Sequence, residues 1–170
     1  MKRVLVLGSP GSGKSTFSRK LHAKTGLSIC YLDQLFWNKD KTTVSREMFK
    51  QRLSDVLNKD SWIIDGNYSF TLEERLRHCD TAFLLDYPTE VCLNGIRHRI
   101  GNKRPDMPWI EEEVNPEFMK YIRTFREQKL PQEMQILAKF PNVKIFVFKN
   151  RAESQRYLDM ENKNEKNLLN

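Results

Sequence analysis

Apolar and polar residues fall in blocks along this chain. Short apolar runs occupy positions 4–7, 27–32, 62–64, 82–85 and 143–148. Each is rich in β-branched or aromatic residues and closes on Gly, Asp, Pro or Asn. Near-continuous apolar runs of this length predict strands of a parallel sheet buried on both faces. Between them lie longer segments with helical spacing. Phe17, Leu21 and His22 share a face of the first, Phe49, Leu53, Val56 and Leu57 of the second, and Val91, Leu93, Ile96 and Ile100 of the third. Phe118, Ile122 and Phe125 mark a fourth, continuing past Pro131 to Leu137. This alternation predicts an α/β fold with right-handed crossovers and helices on both faces of the sheet.

One stretch breaks the pattern. GNKRPDMP, at 101–108, combines a glycine, two prolines and basic residues, and predicts a mobile excursion spanning about 100–110. The end, 161–170, is polar and predicts a fraying tail. No linker divides the rest, so residues 1–160 are expected to form one domain.

The least structured-looking stretch follows the first apolar run directly. Gly8-Ser9-Pro10-Gly11-Ser12-Gly13-Lys14-Ser15 fits GxxxxGK[ST] at every fixed position, with Thr16 next. A strand precedes it and a helix-forming stretch follows, the context this motif requires. Glycines let the backbone approach phosphate oxygens closely. Main-chain N–H groups then converge at a helix N-terminus, which carries partial positive charge. Lys14 is suited to neutralising β- and γ-phosphate charge, and the Ser15 hydroxyl to ligating Mg²⁺. A nucleoside triphosphate with Mg²⁺ is therefore the expected ligand.

Three aspartates close apolar runs: Asp33 in CYLDQLFW, Asp65 in SWIIDGNYS and Asp86 in TAFLLDYP. Ligands of parallel α/β sheets sit at the carboxyl ends of strands. Asp65 best fits the carboxylate that faces the metal, because Gly66 lets the chain turn away. Asp86 precedes Tyr87-Pro88 and reads equally as a cap. Asp33 stands beside Leu35-Phe36-Trp37 and reads as an acceptor contact, or as a solvated strand end. Trp37 either stacks on a flat acceptor or joins the core. Asn67 and Tyr68 continue the Asp65-Gly66 turn toward the same pocket.

The net charge is +7, and its distribution sharpens the picture. Residues 1–58 carry 11 Lys/Arg against 4 Asp/Glu, and residues 97–109 carry 4 against 1. The second cluster holds Arg97, Arg99, Lys103 and Arg104, placed to reach phosphates from the third helix and the excursion. Arg97 and Arg99 diverge by roughly 200° on a helix, so one of them is expected to face the site. Arg123, Arg126 and the Lys149-Asn150-Arg151 stretch, the last as an adenine border, are weaker candidates. Cys30, Cys79 and Cys92 are widely spaced and read as reduced thiols. No apolar run approaches the roughly 18 residues of a membrane span. The run after Met1-Lys2-Arg3 is too short for a signal-peptide core, so the cytoplasm is the expected location.

GSPGSGKST, the DGNY turn, the arginine-rich excursion and the five-strand plan together resemble the adenylate-kinase-like branch of P-loop kinases. YLDQLFW, WIIDGNY, LLDYP, RHRIGNKRPDMP and EFMKYIRTF more closely resemble bacterial DNA topology modulation proteins of the FlaR type, over about residues 1–150. The resemblance implies a P-loop NTPase fold with a five-stranded parallel sheet of order 2-3-1-4-5 and a short arginine-rich lid. It implies ATP on residues 8–16, a metal-side aspartate at Asp65, and phosphorylation of nucleotides or small hydroxylated metabolites. Asp65-Gly66-Asn67-Tyr68 departs from the nucleotide-kinase pattern DGFPR, having neither its Pro nor the Arg that holds an acceptor phosphate. Asp33 matches the single acceptor-side Asp that shikimate-kinase-like enzymes place after the second strand.

The leading expectation is a small ATP-dependent kinase, monomeric or homodimeric. Lys14, Asp33, Arg97 and Arg104 would serve catalysis, and Asp33, Trp37 and Tyr68 would hold a nucleoside, nucleotide or small hydroxylated acceptor. A second expectation is an ATP-switched regulator of DNA topology, favoured by the charge and by the family name. It lacks a helix-turn-helix or finger signature. A third is a nucleotide-binding protein that acts through a protein partner.

Overall fold

The computed structural model describes residues 1–167, with side chains through Met160. Five strands alternate with helices: β1 (Arg3–Gly8), α1 (Lys14–Thr25), β2 (Ile29–Tyr31), α2 (Leu32–Phe36), α3 (Arg46–Leu57), β3 (Trp62–Asp65), α4 (Leu72–His78), β4 (Thr81–Leu85), α5 (Thr89–Arg99), α6 (Pro116–Gln128), α7 (Leu130–Ala138), β5 (Lys144–Phe148) and α8 (Arg151–Asn167). The strands form one sheet of order β2-β3-β1-β4-β5. Every pairing is parallel, with Leu5 opposite Ile64 on one side and Ala82 on the other. Fold class and strand order are as expected.

The central strand explains the layering. Val4, Leu5, Val6 and Leu7 are all fully buried, because the twofold period of a strand sends alternate side chains into opposite layers. Val4 and Val6 pack with Phe17 and Leu21 of α1, Cys92 and Ile96 of α5, and Ile122 of α6. Leu5 and Leu7 pack with Phe49 and Leu53 of α3, Leu72 and Leu76 of α4, and Leu137 of α7. Parallel pairing places all five strand ends on one edge, where the loops that matter gather.

Several local expectations change. His22 is exposed; its ring lies 2.8 Å from the Leu27 carbonyl, beyond the core stripe of Phe17 and Leu21. The fourth helical segment is two helices, α6 and α7, parted at Lys129 just before Pro131, which has no N–H to continue the ladder. Three helices, the short α2 and α4 and the C-terminal α8, add to the predicted set. The polar stretch from 161 continues the backbone of α8 to Asn167. The last three residues of the expected tail, 168–170, lie outside the described residues. All three cysteines are free, Cys92 buried and the others half-buried.

Candidate functional site

The loop between β1 and α1 turns on three glycines with positive φ: Gly8 (138°), Gly11 (80°) and Gly13 (95°). Gly11 also lies directly on the backbone of α5. A Cβ there would sit 2.0 Å from the Cys92 carbonyl oxygen, and one on Gly95 would sit 2.1 Å from the Gly11 carbonyl oxygen. Only a glycine on each side allows that approach. The loop is thus seated on α5, and α1 starts behind it with Phe17 N–H donating to the Gly13 carbonyl at 2.9 Å.

Lys14 folds back over the loop. Its Nζ donates to the carbonyls of Gly8 at 2.8 Å and Ser9 at 3.0 Å. Desolvation draws its pKa down, opposed chiefly by the charge of Asp65 and then by that of Asp33. Asp65, at the end of β3, is buried, and burial pushes its carboxyl up to about 6 against the pull of Lys14 and Ser15. Its Oδ2 has no hydrogen-bond partner. A buried, unpaired carboxylate oxygen close to the Ser15 hydroxyl and the loop fits a divalent cation. The Ser12 hydroxyl is likewise buried and unpaired.

The turn after Asp65 braces the loop from the other side. Asn67 Nδ2 donates to the Gly8 carbonyl at 2.9 Å, and Gly8 N–H donates to Asn67 Oδ1 at 3.1 Å. Tyr68 adopts a left-handed backbone (φ 35°) and stacks on Phe49, with ring centroids 5.0 Å apart. Its hydroxyl donates to Asp33 Oδ1 at 2.7 Å. Burial, then the Asp33 carboxylate, hold that phenol protonated far above its ordinary range. Asp33 itself is raised by desolvation, with Tyr68 and Lys14 opposing. Asp33 stands in the first turn of α2.

Arg75, which the sequence reading passed over, holds this turn in place. It is fully buried on α4. Its guanidinium donates to Gly66 O at 2.9 Å, Tyr68 O at 3.3 Å, Thr71 Oγ1 at 3.2 Å and also to Asn67 O. Nearby Glu133 on α7 is 3% exposed, and its Oε2 is unpaired. Burial pushes Glu133 up to about 7, against Lys14 and Arg75. The native state therefore binds a proton here that the unfolded chain, titrating near 4.5, has lost. Its contribution to stability is complete below pH 4.5 and is lost as pH rises through about 7, a change on the order of 3 kcal/mol. Glu133→Gln is expected to flatten that fall in stability, read from denaturant midpoints between pH 5 and 8.

The expected excursion at about 100–110 lies in the irregular segment between α5 and α6, residues 100–115. Glu111 is its hub. Arg99 Nε lies 2.6 Å from Glu111 Oε2, Arg99 Nη2 donates to Oε1 at 2.7 Å, and Arg104 Nη2 lies 3.2 Å from Oε2. Arg104 Nη1 also meets the buried Asp106 at 3.1 Å. The Arg99 guanidinium sits over the Phe118 ring at 5.4 Å. Gln34 of α2 donates to the Pro105 carbonyl, and Trp109 meets Trp37 edge to face at 5.1 Å.

These parts enclose one cavity of about 990 Å³. Gly11, Gly13, Lys14, Ser15 and Thr16 line one end, with exposed Arg19 and Arg151 beside them. Asp33, Phe36, Trp37, Tyr68, Asp106 and Met107 line the other, and Asp65 lies between. Of the expected site residues, Lys14, Ser15, Asp33, Trp37, Asp65, Tyr68 and Arg104 come together.

Arg97 does not. It is exposed on α5, bonded back to Asn94 Oδ1 at 2.8 Å, while Arg99 lies on the cavity side. Asp86, Arg126 and Lys149 form their own ion-pair cluster, at 2.9 and 2.5 Å. Arg123 is exposed on α6, outside the cavity lining. Asn150 accepts from Glu153 N–H at the head of α8, leaving Arg151 as the one member of its stretch on the cavity.

Comparison with known proteins agrees with this architecture. No family model matches the chain. Adenylate kinase of Thermotoga neapolitana is 26% identical over 94 residues, which is 54% of this chain and 42% of the length of that enzyme. The chain thus matches less than half of that relative. Shikimate kinase from Bacteroides thetaiotaomicron superposes with a TM-score of 0.63 at 17% identity, covering 97% of this chain and 98% of that one. Shikimate kinase from Acinetobacter baumannii, solved with shikimate, gives 0.60 at 16% identity, covering 96% and 95%. A gluconokinase from Sinorhizobium meliloti gives 0.56 at 13% identity, covering 99% and 95%. The chain has a P-loop kinase-like fold.

Proposed function

We propose that this protein is a small ATP-dependent kinase. The observation that carries the reading is one cavity joining a loop built for phosphate to a carboxylate–phenol pair. Lys14 and the unpaired Asp65 lie at the first end, and Asp33 with Tyr68 at the second. The adenylate, shikimate and gluconate kinases similar to this chain support the reaction class.

Lys14 in this reading exchanges the Gly8 and Ser9 carbonyls for β- and γ-phosphate oxygens. The main-chain N–H groups of residues 8–16 add fixed dipoles aimed at the same charge. Ser15 and Asp65 would hold Mg²⁺, which when bound offsets phosphate charge. Asn67 fixes Gly8, and Arg75 fixes the turn that carries Asn67, which braces the loop toward a ligand. Asp33 accepts the hydrogen bond of the acceptor hydroxyl and aims that oxygen along the line of transfer. Tyr68 holds the Asp33 carboxylate in place. Arg99 of α5 and Arg104 of the lid exclude water when that segment packs on α2.

The resemblance to DNA topology modulation proteins gains no separate support from the site. Arg99 and Arg104 pair with carboxylates of the lid, and Arg126 and Lys149 pair with Asp86. Among the described residues no helix is long and apolar enough to cross a membrane.

The test is transfer of label from γ-labelled ATP to a panel of nucleosides, nucleotides, sugars and small alcohols. Label is expected in at least one acceptor, with MgATP binding measured in parallel. Binding of MgATP without label reaching any acceptor would remove the kinase reading and leave nucleotide binding alone.

A further inference from the structure

A kinase that takes a phosphorylated or carboxylated acceptor needs a cation at the acceptor end to receive that charge. Arg99 at the end of α5 and Arg104 in the segment after it are the guanidiniums on this side of the cavity, and neither is free for the task. Glu111 meets both, at 2.6 Å and 3.2 Å, and Asp106 meets Arg104 at 3.1 Å. The segment 100–115 therefore carries two buried or half-buried carboxylates for the two cavity-facing guanidiniums, Arg104 of its own and Arg99 of α5. Asp33 adds a further negative charge beside Tyr68. Lys103, also on the cavity, is exposed, where water and salt screen its field. Lys14, Arg19 and Arg151 belong to the loop end. Phe36, Trp37 and Met107 give the acceptor end apolar surface.

We infer that the acceptor is an uncharged hydroxylated molecule with an apolar face, because Glu111 and Asp106 already match the guanidiniums that an anionic acceptor would require. The inference rests on the kinase reading and narrows its substrate class. Beyond the solvent-screened Lys103, an anion here finds its guanidiniums already matched and the carboxylates of Asp33, Asp106 and Glu111 beside them, and such like-charge juxtaposition is a way to reject a wrong partner. An uncharged molecule leaves every lid pair intact. Its hydroxyl reaches Asp33 and its apolar face meets Trp37.

The experiment uses matched pairs that differ in one anionic group: adenosine and its 5′-monophosphate, thymidine and its 5′-monophosphate, glucose and glucuronate. Binding is followed in the presence of MgADP by tryptophan fluorescence, since Trp37 and Trp109 meet at the acceptor end and Trp62 is buried in the sheet. In the pair that responds most strongly, the uncharged member is expected to bind at least about tenfold more tightly. Equal or tighter binding of the anionic member overturns the inference, and so does a panel in which no uncharged member binds. Glu111→Gln leaves Arg104 with Asp106 alone and Arg99 without its carboxylate, and is expected to narrow the gap about tenfold. A variant that melts like the wild type yet keeps the full gap also overturns it; if Glu111→Gln does not fold, Asp106→Asn is read the same way. Transfer of label from ATP is scored separately. Preference for the uncharged member without any transfer would sink the kinase reading and leave the charge selectivity standing.

Discussion

Lys14→Met is expected to lower kcat for phosphoryl transfer by about a thousandfold or more, and to weaken MgATP binding with it. Methionine keeps an unbranched stem of similar reach but brings no charge. The ammonium now sits 2.8 Å from the Gly8 carbonyl and 3.0 Å from that of Ser9. Two carbonyls at that distance show how closely the loop wraps the ammonium. The main-chain N–H groups cannot make up the loss, because they offer partial charges only. Lys14→Arg should not restore the rate, since a planar guanidinium does not fit a socket shaped for a compact ammonium. The variant is read by single-turnover rate and by displacement of a fluorescent nucleotide. A rate within about tenfold of the wild type would remove Lys14 from the chemistry.

How much of this arrangement the sequence made legible depends on whether a role follows from local spacing. The loop of residues 8–16 did follow, since its motif, preceding strand and following helix are contiguous. Asp33 and Asp65 followed because a parallel sheet brings its strand ends to one edge. The sequence pattern centres the apolar face of α5 on Val91, Leu93, Ile96 and Ile100, whereas its buried face is Cys92, Leu93 and Ile96. Cys92 and Ile96 set that face, and Arg99 lies three residues after Ile96, whereas Arg97 points away. Reading Cys92 as core would have favoured Arg99. Gly95 in mid-helix was also a signal, because an isolated helical glycine marks a close backbone approach.

Other roles depend on contacts that spacing alone does not encode. Arg75 reads as one charge in a charged segment, LEERLRH, and its burial follows only once Leu72 and Leu76 are known to face the sheet. Glu111 opens a run of three glutamates in which nothing local distinguishes the first. It meets both guanidiniums because the segment after α5 folds back, with Gly101 N–H donating to the Glu111 carbonyl at 2.7 Å. Asp106 is likewise defined by Arg104 across a turn. The residues that read clearly are those the motif and the strand ends fix. Those that did not are the supports and charge partners, whose meaning comes from which element they touch.

Asp33→Asn is expected to lower kcat by about a hundredfold to ten-thousandfold while leaving MgATP affinity within a few-fold of the wild type. The substitution keeps size and shape, and the amide oxygen still accepts from the Tyr68 hydroxyl, now 2.7 Å away. What it removes is the negative charge that orients and relieves the acceptor hydroxyl. Tyr68→Phe provides the complementary result. The phenol holds the Asp33 carboxyl down against desolvation, so its loss raises the pKa of that group. The active, ionised form then persists only at higher pH, and the acidic limb of the kcat/KM profile moves upward in pH. A purely structural role for the pair would lower activity in Tyr68→Phe without moving that limb. If Asp33→Asn turns over at the wild-type rate, or loses MgATP as fully as it loses turnover, Asp33 does not serve the acceptor and the two ends of the cavity do not divide the work as proposed.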